Sequence, residues 1–466
     1  MSGSPSDLTA CELIEGFAAR SLTPVDALEA CLDQVRHHND TFNALCHVDA
    51  TGARQAAEES ASRWRAGAPL GPLDGVPVAI KDLIPVAGMP LRYGSQASDD
   101  IPVDHDAPSV THLRRSGAVI LGKTCTAEHG WKAVTDSPLT GITRNPWNRE
   151  LTSGGSSGGS AVAVATGMVP LALGGDEGGS IRVPASFCGI AGLKPTFGRV
   201  PLHQPAYCGS WSHVGPMARS VGDLARAMTV LGRPDPRDWR SLPDDGRDYL
   251  AELSAGLGGL TIALSPGLGL IDVDPEIETA IRRAAATFEA LGAKLVEADP
   301  SICDPYEDYY VLVRMAARAI VESVPEDRRH LLDKPILKDA AAVEGHSAMD
   351  VKRAELNLGV FGAALAAFHE QYDLLLTATL AMKPFAAGMS SPPKLGPTVA
   401  NWTATLYPFD WSRQPAVTVP CGTTADGLPI GLQIVGPQQA DALVLCAARA
   451  FEAAFEGIGR PPLYIT

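Results

Sequence analysis

The chain has 466 residues, 45% of them hydrophobic, and a formal net charge of −15. That many apolar residues can bury a large core, whereas the negative charge argues against nucleic-acid binding through a general basic surface. No run approaches the ~20 consecutive apolar residues that a membrane-spanning helix needs. We therefore expect a globular protein with neither a nucleic-acid nor a membrane partner.

The amino terminus, the cysteines and the histidines indicate a cytoplasmic protein without a metal. Residues 1–7 lack the basic region and the apolar core of a signal peptide. The nine cysteines are odd in number and form no Cys-x-x-Cys pair, which favours reduced thiols. The eleven histidines form no His-x-x-x-His or comparable cluster, so we expect no metal site.

The predicted elements begin with a helix at Pro24, for which Thr23 is a good N-cap. Apolar residues then recur on one face, at Val25, Leu28, Leu32 and Val35. Further along the chain, short apolar runs predict buried strands at Val76–Ile80, Ala118–Leu121, Leu260–Leu264, Leu374–Leu376, Ala416–Val419 and Ile430–Val435.

Helical patterns lie between several of these strands. They include Pro275–Leu291 and Ala440–Phe455, while a polar, proline-punctuated connector is predicted at 234–246. This alternation predicts an α/β fold, in which a sheet is covered by helices on both faces.

Two segments rich in glycine and serine stand out, Thr152–Ser160 and Gly174–Arg182. A serine hydroxyl attacks a carbonyl when a base takes its proton and fixed donors stabilise the oxyanion. Lys81, at the end of a predicted strand, can be that base once burial lowers its pKa. In an extended chain Lys81 and Asp82 point to opposite faces, which separates the amine from the carboxylate.

These two segments also have simpler interpretations. Segments rich in glycine and serine are most often flexible turns. A phosphate-binding P-loop needs a lysine after the glycines, and none follows here. Ser157 and Ser160 are predicted to cap or begin the next helix rather than to do chemistry.

The motifs closely resemble the amidase signature family, whose hallmark is a Ser-cisSer-Lys triad. The matching segments run from about Leu70 to Leu231 and include Gly75–Asp82, Arg144–Trp147, Gly154–Ser160, Asp176–Ala185 and Phe187–Thr196. Similar segments outside that core are Gly215–Ser220, Gln414–Gly422 and Gly427–Gly436. The resemblance therefore spans nearly the whole chain.

The resemblance implies a role for each residue of the triad. Ser180 would be the nucleophile that forms an acyl-enzyme, and Lys81 would be the base. Ser156 would carry the cis peptide bond and pass the proton between them. No cofactor is implied.

The resemblance also implies that the backbone N–H groups of Glu177, Gly178, Gly179 and Ser180 form the oxyanion hole. Glu177 departs from the family pattern and puts a carboxylate beside a site that should favour an anion. We expect it to turn away or to pair with a cation such as Arg182. Arg182 itself either holds a substrate carboxylate or forms a structural ion pair.

The family fold is a large mixed twisted central sheet in a single domain. The resemblance thus implies one domain over residues 1–466, with a signature core at about 70–231. Residues from about 255 to 466 would complete the sheet and the substrate pocket.

The segment Phe409–Ala416 differs from many relatives and contains Trp411 and Arg413. We predict that Trp411 shapes an apolar pocket, and that Arg413 pairs with Asp410 or with a polar end of the substrate. The alternative is that Arg413 lies on the surface.

The resemblance implies a cofactor-independent amidohydrolase that acts, as a homodimer, on a small-molecule carboxamide or a related C–N acyl bond. Two alternatives stay open. The chain could be the glutaminase subunit of a tRNA-dependent amidotransferase, although residues 325–368 lack the tyrosine-rich stretch associated with that protein. It could also be a binding or scaffold protein that has lost activity.

Overall fold

The computed structural model of the chain describes residues 4–204, 206–393 and 401–462. The α-helices of these residues are α1 (Ala10–Ala18), α2 (Pro24–Phe42), α3 (Ala50–Ala66), α4 (Pro108–Arg115), α5 (Gly158–Ala165), α6 (Arg182–Cys188), α7 (Val221–Leu231), α8 (Pro275–Ala290), α9 (Tyr306–Ser323), α10 (Lys334–Ala341), α11 (Ala348–Phe368), α12 (Tyr407–Trp411) and α13 (Asp441–Ala454). Short 3-10 helices occupy Pro5–Asp7, Glu128–Gly130, Gly209–Trp211, Ala251–Ser254, Glu326–Leu331, Ala342–Gly345 and Asn401–Thr403. None of the helices described is both long and apolar enough to cross a membrane.

The strands are β1 (Leu45–Val48), β2 (Pro77–Lys81), β3 (Val119–Thr124), β4 (Asp136–Ser137), β5 (Gly141–Ile142), β6 (Leu171–Asp176), β7 (Ala191–Lys194), β8 (His213–Ala218), β9 (Thr261–Leu264), β10 (Lys294–Glu297), β11 (Leu374–Ala378), β12 (Ala416–Thr423) and β13 (Pro429–Val435). Over the described ranges, eleven of them form one sheet in the order β1-β3-β2-β6-β8-β7-β12-β13-β11-β9-β10. The sheet is mixed, because β2 runs parallel to β3 and β6, whereas β8 and β13 are antiparallel to both of their neighbours.

The elements predicted from the apolar runs are confirmed. All six predicted strands are present, as β2, β3, β9, β11, β12 and β13. The helix α2 begins at Pro24, and Thr23 forms a capping box with Asp26. The helices predicted at Pro275–Leu291 and Ala440–Phe455 appear as α8 and α13.

Helices cover both faces of the sheet, as the alternating directions of the side chains along β2 show. Val78 and Ile80 pack into a core that contains side chains of α7, α8 and α13. Ala79 points the other way, into a core with side chains of α2, α3 and α5. The predicted α/β fold, with a mixed central sheet flanked by helices, is therefore confirmed.

The sheet topology brings the two glycine-rich segments to Lys81. Strands β2 and β6 are parallel neighbours, so their carboxyl ends lie at the same edge of the sheet. Lys81 ends β2, and Asp176 ends β6 just before the segment that contains Ser180. The side chain of Lys81 lies on the same face as Ala79, towards α5, which follows the first glycine-rich segment.

Candidate active site

Lys81 is completely buried and bonded to the first glycine-rich segment. Its Nζ donates hydrogen bonds to Ser156 Oγ at 2.7 Å and to the carbonyl oxygen of Gly175 at 3.3 Å. Burial lowers the pKa of Lys81 to about 8, while the negative charges of Glu177 and Asp176 act in the opposite direction. A substantial fraction of this lysine is therefore neutral at mildly alkaline pH.

The side chain of Asp82 is kept apart from that of Lys81, as predicted from the alternating directions of side chains along a strand. Its carboxylate pairs with Lys123 Nζ at 3.1 Å, and both of these side chains are buried. The buried carboxylate that follows Lys81 in sequence is thus neutralised by a different lysine, so the Lys81 amine keeps a lowered pKa.

The first glycine-rich segment is held against the second. A cis peptide bond joins Gly155 to Ser156. The next residue, Ser157, donates its backbone N–H to the carbonyl oxygen of Ser180 at 3.1 Å. Lys81, Ser156 and Ser180 are therefore brought together at one edge of the sheet.

Ser157 and Ser160 stand at the beginning of the next helix, as predicted, but the Ser157 side chain does not cap it. Ser157 stands at the N-cap position of α5, but its hydroxyl makes no capping bond. Instead the hydroxyl donates to the Gly175 carbonyl at 3.1 Å, because β6 passes beside this turn. Ser160 lies within the first turn of α5 and donates to the carbonyl oxygen of Leu173 at 2.9 Å.

The segment after β6 is shaped by Asp176. Its carboxylate accepts hydrogen bonds from the backbone N–H groups of Gly179 at 2.7 Å and Ile181 at 3.0 Å. Gly179 has a φ of +112°, which disfavours any residue with a Cβ. One of the four predicted oxyanion donors, the N–H of Gly179, thus already has an acceptor.

Arg182 is a structural residue, which decides between the two alternatives for it. It is completely buried, and its Nη2 lies 2.9 Å from Asp176 Oδ1 and 2.6 Å from Asp410 Oδ2. Its Nη1 also donates to Gln433 Oε1 at 2.8 Å. Arg182 therefore ties the segment that contains Ser180 to α12 and β13.

Replacing Arg182 with methionine is expected to lower the free energy of unfolding by about 3–5 kcal/mol, because Asp176 would lose its buried counter-charge. Urea titration of the purified protein would measure this. Arg353→Met is a matched control, since Arg353 forms a solvent-exposed pair with Asp350 and its replacement should change the stability little. Equal losses in the two variants would contradict the structural role of Arg182.

The carboxylate of Glu177 does not pair with Arg182, contrary to one of the expectations. Its Oε1 accepts a hydrogen bond from Ser212 Oγ at 2.9 Å, and the side chain is half-buried. Burial raises the pKa of Glu177, and Lys81 acts in the opposite direction. Arg182 is not free to pair with it, because both of its carboxylate partners are already in place.

A cavity of about 600 Å³ lies over these residues. Glu177, Gly178 and Ser180 contribute to its wall, and Ser180 is 8% exposed there. Several aromatic side chains line the rest, among them Tyr93, Trp131, Tyr207, Tyr309 and Tyr310. The arrangement offers a small molecule a surface rich in aromatic rings, with the Ser180 hydroxyl in its wall.

Tyr309, on α9, braces the segment that contains Ser180. Its hydroxyl donates to the carbonyl oxygen of Glu177 at 3.3 Å, and its ring stacks on Tyr407 with the centroids 5.2 Å apart. A Cβ added to Gly178 would lie only 2.4 Å from the Tyr309 hydroxyl. The glycine is therefore needed for this close approach.

The sequence did not reveal Tyr309 or Ser212 as neighbours of the site. Tyr306, Tyr309 and Tyr310 share one face at the start of α9, and this spacing was an available signal. It does not, however, tell which part of the chain that face meets.

The structure does not bring Trp411 or Arg413 to the described wall of the cavity. Trp411 is buried and meets the rings of Tyr309 and Phe361 edge-on. The guanidinium of Arg413 lies over the ring of Phe197, 5.0 Å from its centroid. Arg413 does not pair with Asp410, because the Asp410 carboxylate binds Arg182. Any effect of Trp411 on a substrate would be indirect, through Tyr309.

Comparison with known proteins identifies the family of the chain. The family described as Amidase matches residues 26–445. The chain is 37% identical to an acylamidase of Rhodococcus erythropolis, over 96% of this chain and 95% of the relative. It is 34% identical to a glutamyl-tRNA(Gln) amidotransferase subunit of Chloroflexus aurantiacus, over 96% of each protein.

Among solved structures, a bacterial aryl acylamidase that belongs to the amidase signature enzymes superimposes with a TM-score of 0.90. It is 30% identical and covers 96% of each chain. The 6-aminohexanoate cyclic dimer hydrolase in complex with its substrate gives a TM-score of 0.89 at 29% identity, over 98% of this chain and 99% of that one. Sequence and structure together establish that the chain belongs to the amidase signature family.

Proposed function

We propose that this protein is an amidase that hydrolyses a small-molecule carboxamide to a carboxylate and ammonia or an amine, through an acyl-enzyme on Ser180. The observation that carries the proposal is the 2.7 Å hydrogen bond from Lys81 Nζ to Ser156 Oγ, beside a cavity that Ser180 lines. A lysine with a pKa of about 8 is basic enough to accept a proton and is partly neutral near neutral pH.

In this mechanism Ser180 Oγ attacks the carbonyl carbon and its proton passes to Ser156, whose own proton passes to Lys81. The tetrahedral intermediate collapses when the leaving nitrogen receives a proton back along the same relay, which breaks the C–N bond and releases ammonia or an amine. Water then attacks the Ser180 ester, with Lys81 again acting as the base, and the carboxylate leaves.

Backbone N–H groups of the Glu177–Ser180 segment stabilise the oxyanion in this proposal. Gly179 donates to Asp176, so the N–H groups of Glu177, Gly178 and Ser180 are the donors we assign to the substrate. The bond from Gly179 then serves to hold the segment in shape. Tyr309 supports the same segment from the other side.

The aromatic wall of the cavity favours amides with an aromatic or otherwise apolar acyl or amine part. Tyrosine and tryptophan rings bind such groups through apolar contact and ring stacking. The names of the relatives agree with this, because one is an acylamidase and another an aryl acylamidase. We also propose that the protein is cytoplasmic and forms a homodimer. Size-exclusion chromatography with light scattering would test the oligomeric state.

A glutaminase function within an amidotransferase is the rival, since subunits of such an enzyme are among the relatives at 34% identity. A glutaminase would prefer glutamine over other amides and would need a partner for full activity. Strong turnover of aromatic amides by the isolated chain would favour the amidase.

Ammonia release from aliphatic, aromatic, amino-acid and urea-like amides, together with aniline release from anilides, tests the proposed function. Wild-type protein is run beside Ser180→Ala. Turnover by the wild type alone supports the proposal and ranks the substrate classes. Equal activity in both proteins would reject Ser180 as the nucleophile.

The rate of acylation is expected to rise with pH through a midpoint near 8. The pKa of Lys81 is lowered from 10.5 to about 8, so the neutral, basic form is populated above that pH and is lost as the pH falls. The measurement is kcat/KM for a neutral amide such as benzamide, which does not titrate in this range. A flat profile, in protein shown by circular dichroism to stay folded, would contradict Lys81 as the base.

A further inference from the structure

The carboxylate of Glu177 is a negative charge in the candidate active site that the proposed mechanism leaves unused. The mechanism needs only its backbone N–H. Glu177 is half-buried and lines the cavity, and its carboxylate accepts one hydrogen bond from the neutral hydroxyl of Ser212. Removing a carboxylate from water costs free energy unless the carboxylate pairs with a cation or accepts further hydrogen bonds.

No lysine or arginine among the described residues forms an ion pair with Glu177. Arg182, the cation next in sequence, is held by Asp176 and Asp410. Lys81 and Glu177 both lie near Gly175. A Cβ added to Gly175 would be 3.5 Å from Glu177 Oε1 and 3.6 Å from Lys81 Nζ. Lys81 must be neutral to act as a base, so Glu177 then lacks a counter-charge within the described part of the protein.

We propose that the Glu177 carboxylate is an anionic subsite that selects amides carrying an ammonium group close to the scissile carbonyl. This inference rests on the proposed amidase function and names the class of its substrate. The ammonium supplies the missing counter-charge, and it leaves the relay of Lys81 and Ser156 free for proton transfer.

The position of Glu177 relative to Ser180 indicates the kind of ammonium-bearing amide that would fit. Glu177 is three residues before Ser180 in the same segment, and both line the cavity. This placement points to an amine within a few bonds of the carbonyl, as in α-amino amides. Tyr309 adds an aromatic ring to the same wall, and such rings also attract ammonium groups.

The test compares pairs of amides of the same shape that differ in charge. Glycinamide is paired with propanamide, and phenylalaninamide with 2-methyl-3-phenylpropanamide. At about pH 7 the α-amino group is largely protonated, because its unperturbed pKa is about 7.7–8.0. For each pair the ratio of kcat/KM, ammonium over neutral, is measured in wild-type protein and in Glu177→Gln.

Glu177→Gln is expected to lower this ratio by about 10- to 100-fold, as the loss of a hydrogen bond between charged groups would. Because the ratio is compared between two proteins, the intrinsic reactivity of each amide cancels. Ser212→Ala frees the Glu177 carboxylate without removing it, so it should lower the ratio by a smaller factor. It also serves as the second variant should Glu177→Gln fail to fold.

Asp339→Asn is the matched control, since Asp339 also lines the cavity but accepts a hydrogen bond from the indole of Trp131. The ratio should change by less than about twofold in this variant. An unchanged ratio in Glu177→Gln, or a fall confined to Asp339→Asn, would overturn the proposal.

Amide binding to the Ser180→Ala variant, measured by calorimetry, tests the anionic subsite independently of amide hydrolysis. The variant should bind phenylalaninamide more tightly than its neutral partner, and Glu177→Gln on the same background should remove the difference. If wild-type protein hydrolyses no amide and Ser180 resists labelling, the amidase proposal fails while the binding comparison still decides on the subsite. Equal binding of both amides to Ser180→Ala would reject the subsite even if amides are hydrolysed.

Discussion

Ser180→Ala is expected to abolish amide hydrolysis, with a fall of about 10⁴- to 10⁶-fold in kcat, because the variant has no nucleophile to form the acyl-enzyme. Removal of one hydroxyl from a side chain that is 8% exposed should leave the fold intact. The measurement is the initial rate of product release, combined with labelling by a fluorophosphonate and mass spectrometry of the labelled peptide. The label should be found on Ser180 in the wild type and be absent from the variant.

Ser157→Ala is the matched control for this experiment. Ser157 belongs to the other glycine-rich segment, and its hydroxyl donates a hydrogen bond to the Gly175 carbonyl oxygen. This variant should keep fluorophosphonate labelling and lose no more than about tenfold in rate. Labelling that survives in Ser180→Ala would mean that another serine is the nucleophile. A wild-type protein that neither labels nor turns over would favour a binding or scaffold role.

The separation of Lys81 from Asp82 could be predicted from the sequence because a local pattern determines it, whereas the place of Ser156 beside Lys81 was implied by the family resemblance. The run Val76–Ile80 is apolar on both faces, so it had to be a buried strand, and alternation then separates Lys81 from Asp82. The structure agrees, since Lys81 bonds to Ser156 while Asp82 pairs with Lys123. Short-range geometry was sufficient for the separation of the two side chains, whereas the bond to Ser156 joins residues 75 positions apart in the sequence.

The surroundings of Glu177 could not be predicted in the same way. Its neighbours Ser212 and Tyr309 come from distant parts of the chain, and nothing in their local sequence indicates that they meet this segment. The pairing of Arg182 with Asp410 is also long-range, and it involves the carboxylate that is one of the two partners predicted for Arg413. Arg413 packs on Phe197 instead, which only the packed fold reveals.

In the proposed mechanism, catalysis and specificity therefore depend on different parts of the fold. The residues to which we assign catalysis come from strand ends and turns, whose geometry follows from the glycines, the alternation of side chains along the strands and the order of the strands in the sheet. The cavity wall combines those turns with α9, and its charge depends on which distant cation reaches which carboxylate. Small changes in the wall can therefore redirect substrate choice without disturbing the relay.

The second large effect is expected for Lys81→Ala and Lys81→Met, both of which should reduce acylation by at least about 10³-fold, because no other base is hydrogen-bonded to Ser156 among the described side chains. Methionine fills much of the volume of the lysine stem and removes a buried amine. Lys81→Met should therefore keep or raise the free energy of unfolding while losing activity. The measurement is the rate of fluorophosphonate labelling per folded molecule.

Lys123→Met is expected to have the opposite effects, a loss of stability with labelling retained. Lys123 is also completely buried, but it pairs with Asp82. This variant leaves a buried carboxylate without its counter-charge, so it should lose about 3–5 kcal/mol of stability. The fraction that stays folded should label Ser180 at close to the normal rate. Near-normal turnover in Lys81→Met would reject Lys81 as the base. If both lysine variants lost labelling in proportion to their folded fraction, Lys81 would be a structural residue like Lys123, and the source of the base would have to be sought elsewhere in the cavity.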